Sequence, residues 1–197
     1  FGSVFEWVPR KMPYHLIQAF IEEFERNEDV VLVIKTFNHG FDSLSNHLKE
    51  KGFNYTEKQL KKIVIINDVF PDLSVFYRGL DAYISCTAGE GYGQTLCEAM
   101  ACGIPTIASN HSGNLDFMND QNSFLVDVEG WTPTEEFPTV NWRKPKIESM
   151  KSKMRTVYDN RNSDYMKKIT NSAQKLSGAL TMEKIGKKIV EALNQFC

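Results

Sequence analysis

The chain has no CxxC pair, no HExxH and no cluster of cysteine and histidine at metal-ligand spacing. Its cysteines (Cys86, Cys97, Cys102, Cys197) and histidines (His15, His39, His47, His111) are scattered, so neither a metal site nor a disulfide framework is expected. Cys97 and Cys102 fall in one helical stretch, where a direct bridge is geometrically unfavourable. Reduced, packed thiols of this kind suit a cytoplasmic protein. A dominant charge is also missing. The formal net charge is -2, which excludes steering of the whole molecule to nucleic acid, although Arg10-Lys11 is a local cationic spot. No apolar run approaches the roughly 18 residues of a membrane span. There is no initiator Met, no signal-peptide charge pattern, no internal repeat and no low-complexity tract. The chain opens on Phe1-Gly2-Ser3-Val4-Phe5, already strand-like, as a piece cut from something longer would.

What is present is an alternation of short apolar strands with amphipathic helices. The length, 197 residues, suits one α/β domain spanning residues 1–197. The expected architecture is a doubly wound, Rossmann-like parallel sheet with helices on both faces, followed by C-terminal helices. Strands are expected at 3–8, 30–37, 63–66, 82–86, 105–108 and 124–128. Pro13 suits the first turn of a helix whose apolar stripe is Leu16, Ile17, Phe20, Ile21 and Phe24, with Glu22, Glu23 and Glu25 outward. Residues 42–62 read as two short helices broken near Gly52, with a turn at Asn67-Asp68 after the next strand and a short helix at 73–80. A helix over 93–101 is closed by Gly103. Residues 130–145, rich in Pro, Thr and Trp, read as an irregular surface excursion. Helices follow at 146–159, 163–177 and 182–196, the last carrying Ile185, Ile189, Val190 and Leu193 on one side.

The informative stretch is ISCTAGEGYGQTLCEAMACGIPTIAS, residues 84–109. It follows the fourth strand and leads into a helix, and ligands of open parallel sheets sit beyond the carboxyl ends of the strands. Gly89, Gly91 and Gly93 permit close backbone approach and positive φ. The helix starting near Gly93 directs N–H groups and partial positive charge at the crevice, where a phosphate fits. Glu90 and Glu98 flank that anion site with seven residues between them. Carboxylates repel phosphate, so this pair is better placed to accept hydroxyls of a sugar and a ribose on either side of a diphosphate. The glycines do not form GxGxxG, because Gln94 stands at the required sixth position, and no Walker A sequence occurs.

The run EGYGQTLCEAMACGIPTIAS resembles the E-x7-E signature of family-4 retaining glycosyltransferases with the GT-B fold. Glu90, Gly91, Gly93, Glu98, Ala99, Met100, Ala101, Gly103 and Pro105 match it; Gln94 departs where Leu is frequent. The segments SVFEWVPRK, DVFPDLSVFYRGLDAYIS and NDQNSFLV are similar to the family as well, which extends the resemblance over about residues 1–130.

The resemblance implies the donor-binding C-terminal half of such an enzyme, with the acceptor domain absent. It implies that Glu90 binds donor-sugar hydroxyls and Glu98 the ribose, while the backbone of Gly91, Tyr92, Gly93 and Gln94 meets the diphosphate and sugar. Lys11 falls on the family's phosphate-binding lysine, with no metal or other cofactor required. The usual arginine five positions earlier is Glu6 here, and Arg10 is the candidate replacement. His111-Ser112-Gly113-Asn114 stands where the family often has a Gly-Gly turn. The implied reaction is hexose transfer from a GDP- or UDP-linked sugar to a hydroxyl of a glycan or lipid acceptor, with retention. Alternatives are a phosphorylase- or synthase-like domain and a non-catalytic nucleotide-sugar-binding module. A flavodoxin-like signalling domain lacks its acidic cluster.

Overall fold

The structure is a computed structural model, and the residues described are 1–26, 28–37, 40, 42–134, 139, 141–180 and 182–194. His39 and Cys197 lie outside them, as do the last two residues of the helix expected to reach 196.

The elements follow the expected alternation. They are β1 (Gly2–Val4), α1 (Pro13–Glu23), β2 (Leu32–Lys35), α2 (Leu44–Glu50), α3 (Glu57–Leu60), β3 (Ile63–Ile66), α4 (Ser74–Arg78), β4 (Tyr83–Ser85), α5 (Gln94–Ala101), β5 (Thr106–Ser109) and β6 (Phe124–Val126). An antiparallel hairpin, β7 (Val128–Pro133) and β8 (Asn141–Pro145), precedes α6 (Ile147–Asn160), α7 (Asp164–Ser177) and α8 (Met182–Leu193). The six-stranded sheet is parallel throughout, in the order β3-β2-β1-β4-β5-β6. It is a doubly wound, Rossmann-like sheet whose winding reverses between β1 and β4. That reversal opens a crevice at the carboxyl ends of these two strands.

Side chains of each strand alternate between two cores. On one face Ile84, Ile107, Phe124 and Val126 meet Leu16, Ile17, Phe20 and Phe24 of the α1 side and Met150, Met154 and Val157 of α6. On the other, Tyr83, Ala108 and Leu125 meet Tyr77 of α4 and Leu96, Ala99 and Met100 of α5. Arg155 locks α6 to α1: its Nε lies 2.6 Å from Glu23 Oε1, and its guanidinium stacks 4.9 Å from the Phe24 ring.

Three expectations are corrected. The first strand ends at Val4, not at residue 8, because the chain leaves the sheet toward Pro9 and turns there. Asn67 and Asp68 leave β3 without a turn. Residues 130–145 are not wholly irregular: Trp131 pairs with Arg143, and Thr132 with Trp142, in the hairpin. Proline and threonine masked a cross-strand register that the spacing alone did not disclose; residues 135–138 and 140 lie outside the described set. No described helix is long and apolar enough to cross a membrane. Ile189, Val190 and Leu193 of α8 are more than half exposed.

Phe20 is fully buried in the core that α1 shares with β2 and α6, its ring 6.3 Å from that of Phe1 and 5.3 Å from that of Phe24. Phe20→Ala should therefore lower stability by about 3–5 kcal/mol, seen as a reduced urea midpoint with an unchanged slope.

Candidate functional site

Beyond β1 the chain forms a short helical turn, Pro9–Lys11, and Met12 then takes φ 53° to start α1. This turn is sewn to the loop after β4, since the Ala88 N–H donates to the Arg10 carbonyl at 2.9 Å. Lys11 Nζ consequently reaches Glu90 Oε2 at 2.6 Å, with both side chains about 15% exposed. Arg10 donates to the Gly89 carbonyl and its Nη1 lies 4.0 Å from the same carboxylate oxygen. The cationic pair is thus not a solvated turn cap. Arg10 and Lys11, from one side of the switch point, both face Gly89 and Glu90 on the other.

Gly93 has φ 91° and supplies the N-cap of α5, which no side chain caps. Its first N–H groups are therefore available to an anion. Gly89 and Gly91 were expected to share that positive φ and do not; instead a Cβ at either would meet open space. They leave room above the crevice. Tyr92 is 43% exposed and rests on the Phe117 ring at 5.1 Å.

Glu98 occupies a different wall. It lines a cleft of about 360 Å³ with Pro71, Asp72, Leu73, Ser74 and Tyr77. Tyr77 donates to its Oε2 at 2.8 Å and Gln94 Nε2 donates to its Oε1 at 2.9 Å. Burial, then the neighbouring Tyr83 and Glu98, push the Tyr77 hydroxyl far above the ordinary phenol range, so it remains a proton donor to this carboxylate. A larger hollow of about 460 Å³ opens near Phe1, Asp81 and Arg161 at the amino ends of the strands and contains none of the motif. No group of three His, Cys, Asp or Glu among the described residues is placed to hold a metal.

Two contributors were not assigned roles from sequence. Tyr77 is one; its only signal was a hydroxyl-bearing aromatic within an apolar helix, which needs a polar partner once buried. Ser112 is the other. Its Oγ accepts from the Glu90 N–H at 2.9 Å and donates to the Glu90 carbonyl at 2.8 Å. It does so at φ 85°, a region favoured by glycine, in the stretch where the resemblance implies a Gly-Gly turn. The adjacent residue, His111, meets Trp131 of β7 edge-on at 5.2 Å. Burial, then the charge of Arg143, holds His111 below the usual imidazole range; burial, then Lys144, does the same for His15 on α1. The hairpin therefore lies near both the β1–α1 side and the β5 loop.

Gly113 packs so closely on this loop that a Cβ would fall 1.9 Å from the Gly91 carbonyl oxygen. Gly113→Ala should displace the Glu90–Gly91 backbone and cost about 1–3 kcal/mol. A denaturation midpoint equal to that of the parent chain would contradict this packing.

Residues 1–134 match the family described as glycosyl transferases group 1. A UDP-Gal:α-D-GlcNAc-diphosphoundecaprenol α-1,3-galactosyltransferase of Escherichia coli is 30% identical over 124 residues, which is 61% of this chain and 30% of that protein. A glycosyltransferase from Rickettsia africae superposes over 98% of this chain and 46% of its own, with a TM-score of 0.76 at 20% identity. Anabaena HepE, solved in complex with UDP, superposes over 98% of this chain and 48% of its own, with a TM-score of 0.72 at 16% identity. The chain thus spans less than half the length of each of these proteins. With the match covering β1, the β4–α5 loop and the whole crevice between them, the chain belongs to the glycosyl transferases group 1 family.

Proposed function

We propose that the chain binds a nucleoside diphosphate sugar, UDP- or GDP-linked, in the crevice between β1 and β4. The reaction it serves is transfer of the hexose to an acceptor hydroxyl with retention of configuration. The observation that carries this reading is the Lys11–Glu90 pair, 2.6 Å apart and formed across the switch point, beside the uncapped N-terminus of α5. The UDP named in the E. coli relative and in the Anabaena complex supports the donor class.

Each group then has a chemical task. The Lys11 ammonium and the α5 N–H groups offset the negative charge that grows on the departing diphosphate. Arg10, fixed by the Gly89 carbonyl, adds a second cation in place of the arginine that Glu6 replaces. The backbone of Gly91, Tyr92, Gly93 and Gln94 borders the diphosphate and sugar. Glu90 accepts hydroxyls of the hexose once the diphosphate draws Lys11 away. Glu98, oriented by Tyr77 and Gln94, accepts ribose hydroxyls in its own cleft. Retention is assigned to same-face attack, with the leaving phosphate accepting the acceptor proton, and Glu90 is not a covalent nucleophile. The acceptor, a glycan or lipid, is held with the help of a further domain. A cytoplasmic location fits the free thiols of Cys86, Cys97 and Cys102.

Two experiments test the reading. Because charge neutralisation is assigned to Lys11 and the helix terminus, UDP should bind with the same affinity in EDTA as in magnesium. Affinity that disappears on chelation removes the metal-free mechanism.

The two carboxylates should also separate by ligand. Glu98→Ala should weaken UDP and UDP-glucose alike, by about 1.5–3 kcal/mol. Glu90→Ala should weaken UDP-glucose while leaving UDP as tight as before or tighter, because the diphosphate no longer has to draw Lys11 from a carboxylate. Titration calorimetry giving equal losses for both ligands in both variants would show that the roles are not divided in this way.

A further inference from the structure

The β7–β8 hairpin carries an aromatic surface that the donor site does not use. Trp131 is 62% exposed, yet its indole is held in place from two directions. The His111 ring meets it at 5.2 Å and 88°, and the Arg143 guanidinium lies 5.8 Å from its centroid, directly across the strand pair. Arg143 is itself anchored, donating from Nε to the Glu129 carbonyl at 3.0 Å. A large ring that is both exposed and fixed loses little freedom when a ligand lies on it.

The place of this ring decides what it meets. His111 is joined directly to Ser112, whose hydroxyl grips both backbone groups of Glu90. Trp131 therefore stands one residue outward from the loop that presents the donor carboxylate. The hexose assigned to Glu90 in the donor reading would then lie on the crevice side of this ring, which leaves the hairpin side to a second sugar. Pyranoses suit the surface chemically. They offer a patch of C–H bonds to an indole face and a rim of hydroxyls to neighbouring polar groups, here Arg143 and His111. A lipid surface would favour several exposed aromatics in one plane with cations around them. Here a single exposed indole is flanked by His111 and Arg143, and His111 adjoins the Ser112 that holds the Glu90 backbone.

We propose that Trp131 is the stacking platform for a pyranose ring of the acceptor glycan, with Arg143 and His111 as its supports. The proposal rests on the donor reading given above. It makes the hairpin an acceptor-recognition element contributed by this half of the cleft.

The test follows the indole N–H resonance of Trp131 in the 197-residue chain, identified by its loss in Trp131→Ala. Maltotriose, chitotriose and mannotriose are the probes, each titrated to its solubility limit in the presence and absence of UDP. At least one should shift this resonance. Trp131→Ala should weaken that probe about fivefold to tenfold, Trp131→Tyr should restore it to within about twofold, and UDP affinity should stay unchanged in both. If UDP binds but no oligosaccharide moves the Trp131 resonance, the platform is wrong while the donor reading stands. If UDP itself fails to bind the parent chain, the donor reading fails and takes the acceptor assignment with it. Loss of UDP-glucose affinity in Trp131→Ala without loss of oligosaccharide binding would place the ring on the donor and overturn the proposal. So would Trp131-dependent sedimentation with phosphatidylglycerol vesicles when no oligosaccharide binds.

Discussion

The reversal of strand order between β1 and β4 is the constraint on which the site depends. Two strands that are adjacent in the sheet send their following helices to opposite faces, so their exit loops part and leave a crevice. Lys11 leaves one loop and Glu90 the other, 79 residues apart in sequence and 2.6 Å apart in space. Neither charge is well solvated, and each would be costly to leave alone. In the function proposed above, their pairing is a holding arrangement: a diphosphate, with more negative charge than one carboxylate and with the α5 N–H groups to use, would compete for Lys11 and leave Glu90 to hydroxyl donors.

The two glutamates of the motif illustrate how surroundings divide equal chemistry. Glu90 sits on a loop, held by the Ser112 hydroxyl and a lysine. Glu98 sits on a helix and is held by a buried tyrosine and a glutamine. Charged partners make the first exchangeable with a stronger anion. Neutral donors orient the second without competing strongly for its remaining lone pairs. One carboxylate is thus held by a full opposite charge and the other by neutral donors.

The loop bearing Glu90 is positioned by chain that comes later in sequence. Ser112 and Gly113 press against Glu90 and Gly91 so closely that side-chain bulk at residue 113 has no space. Ser112 adopts a glycine-like φ to make two hydrogen bonds, which offset the strain of that conformation. Through His111 the same segment contacts the β7–β8 hairpin. Changes in the hairpin and changes at Glu90 are therefore connected by packed, short-range contacts.

Much of this was determined by the sequence alone. The apolar stripe from Leu16 to Phe24, the strand at 63–66, Pro13 as a helix start and Gly103 as a helix stop all act over a few residues. Local periodicity and backbone chemistry suffice for such features. The start of α5 at Gly93 was likewise legible, because a glycine at a strand-to-helix turn acts locally; the anion site read from residues 89–98 belongs to the proposed function. Tertiary structure alone decided the rest. It paired Lys11 with Glu90, gave Tyr77 to Glu98, and set Ser112 against the Glu90 backbone. It shortened β1 and ordered residues 128–133 and 141–145 into a hairpin. Each of these depends on contacts between segments distant in the chain or on a register between two strands. Hydrophobic periodicity carries no information about which distant polar group a side chain will meet, because that is settled only when the sheet fixes the order of its strands.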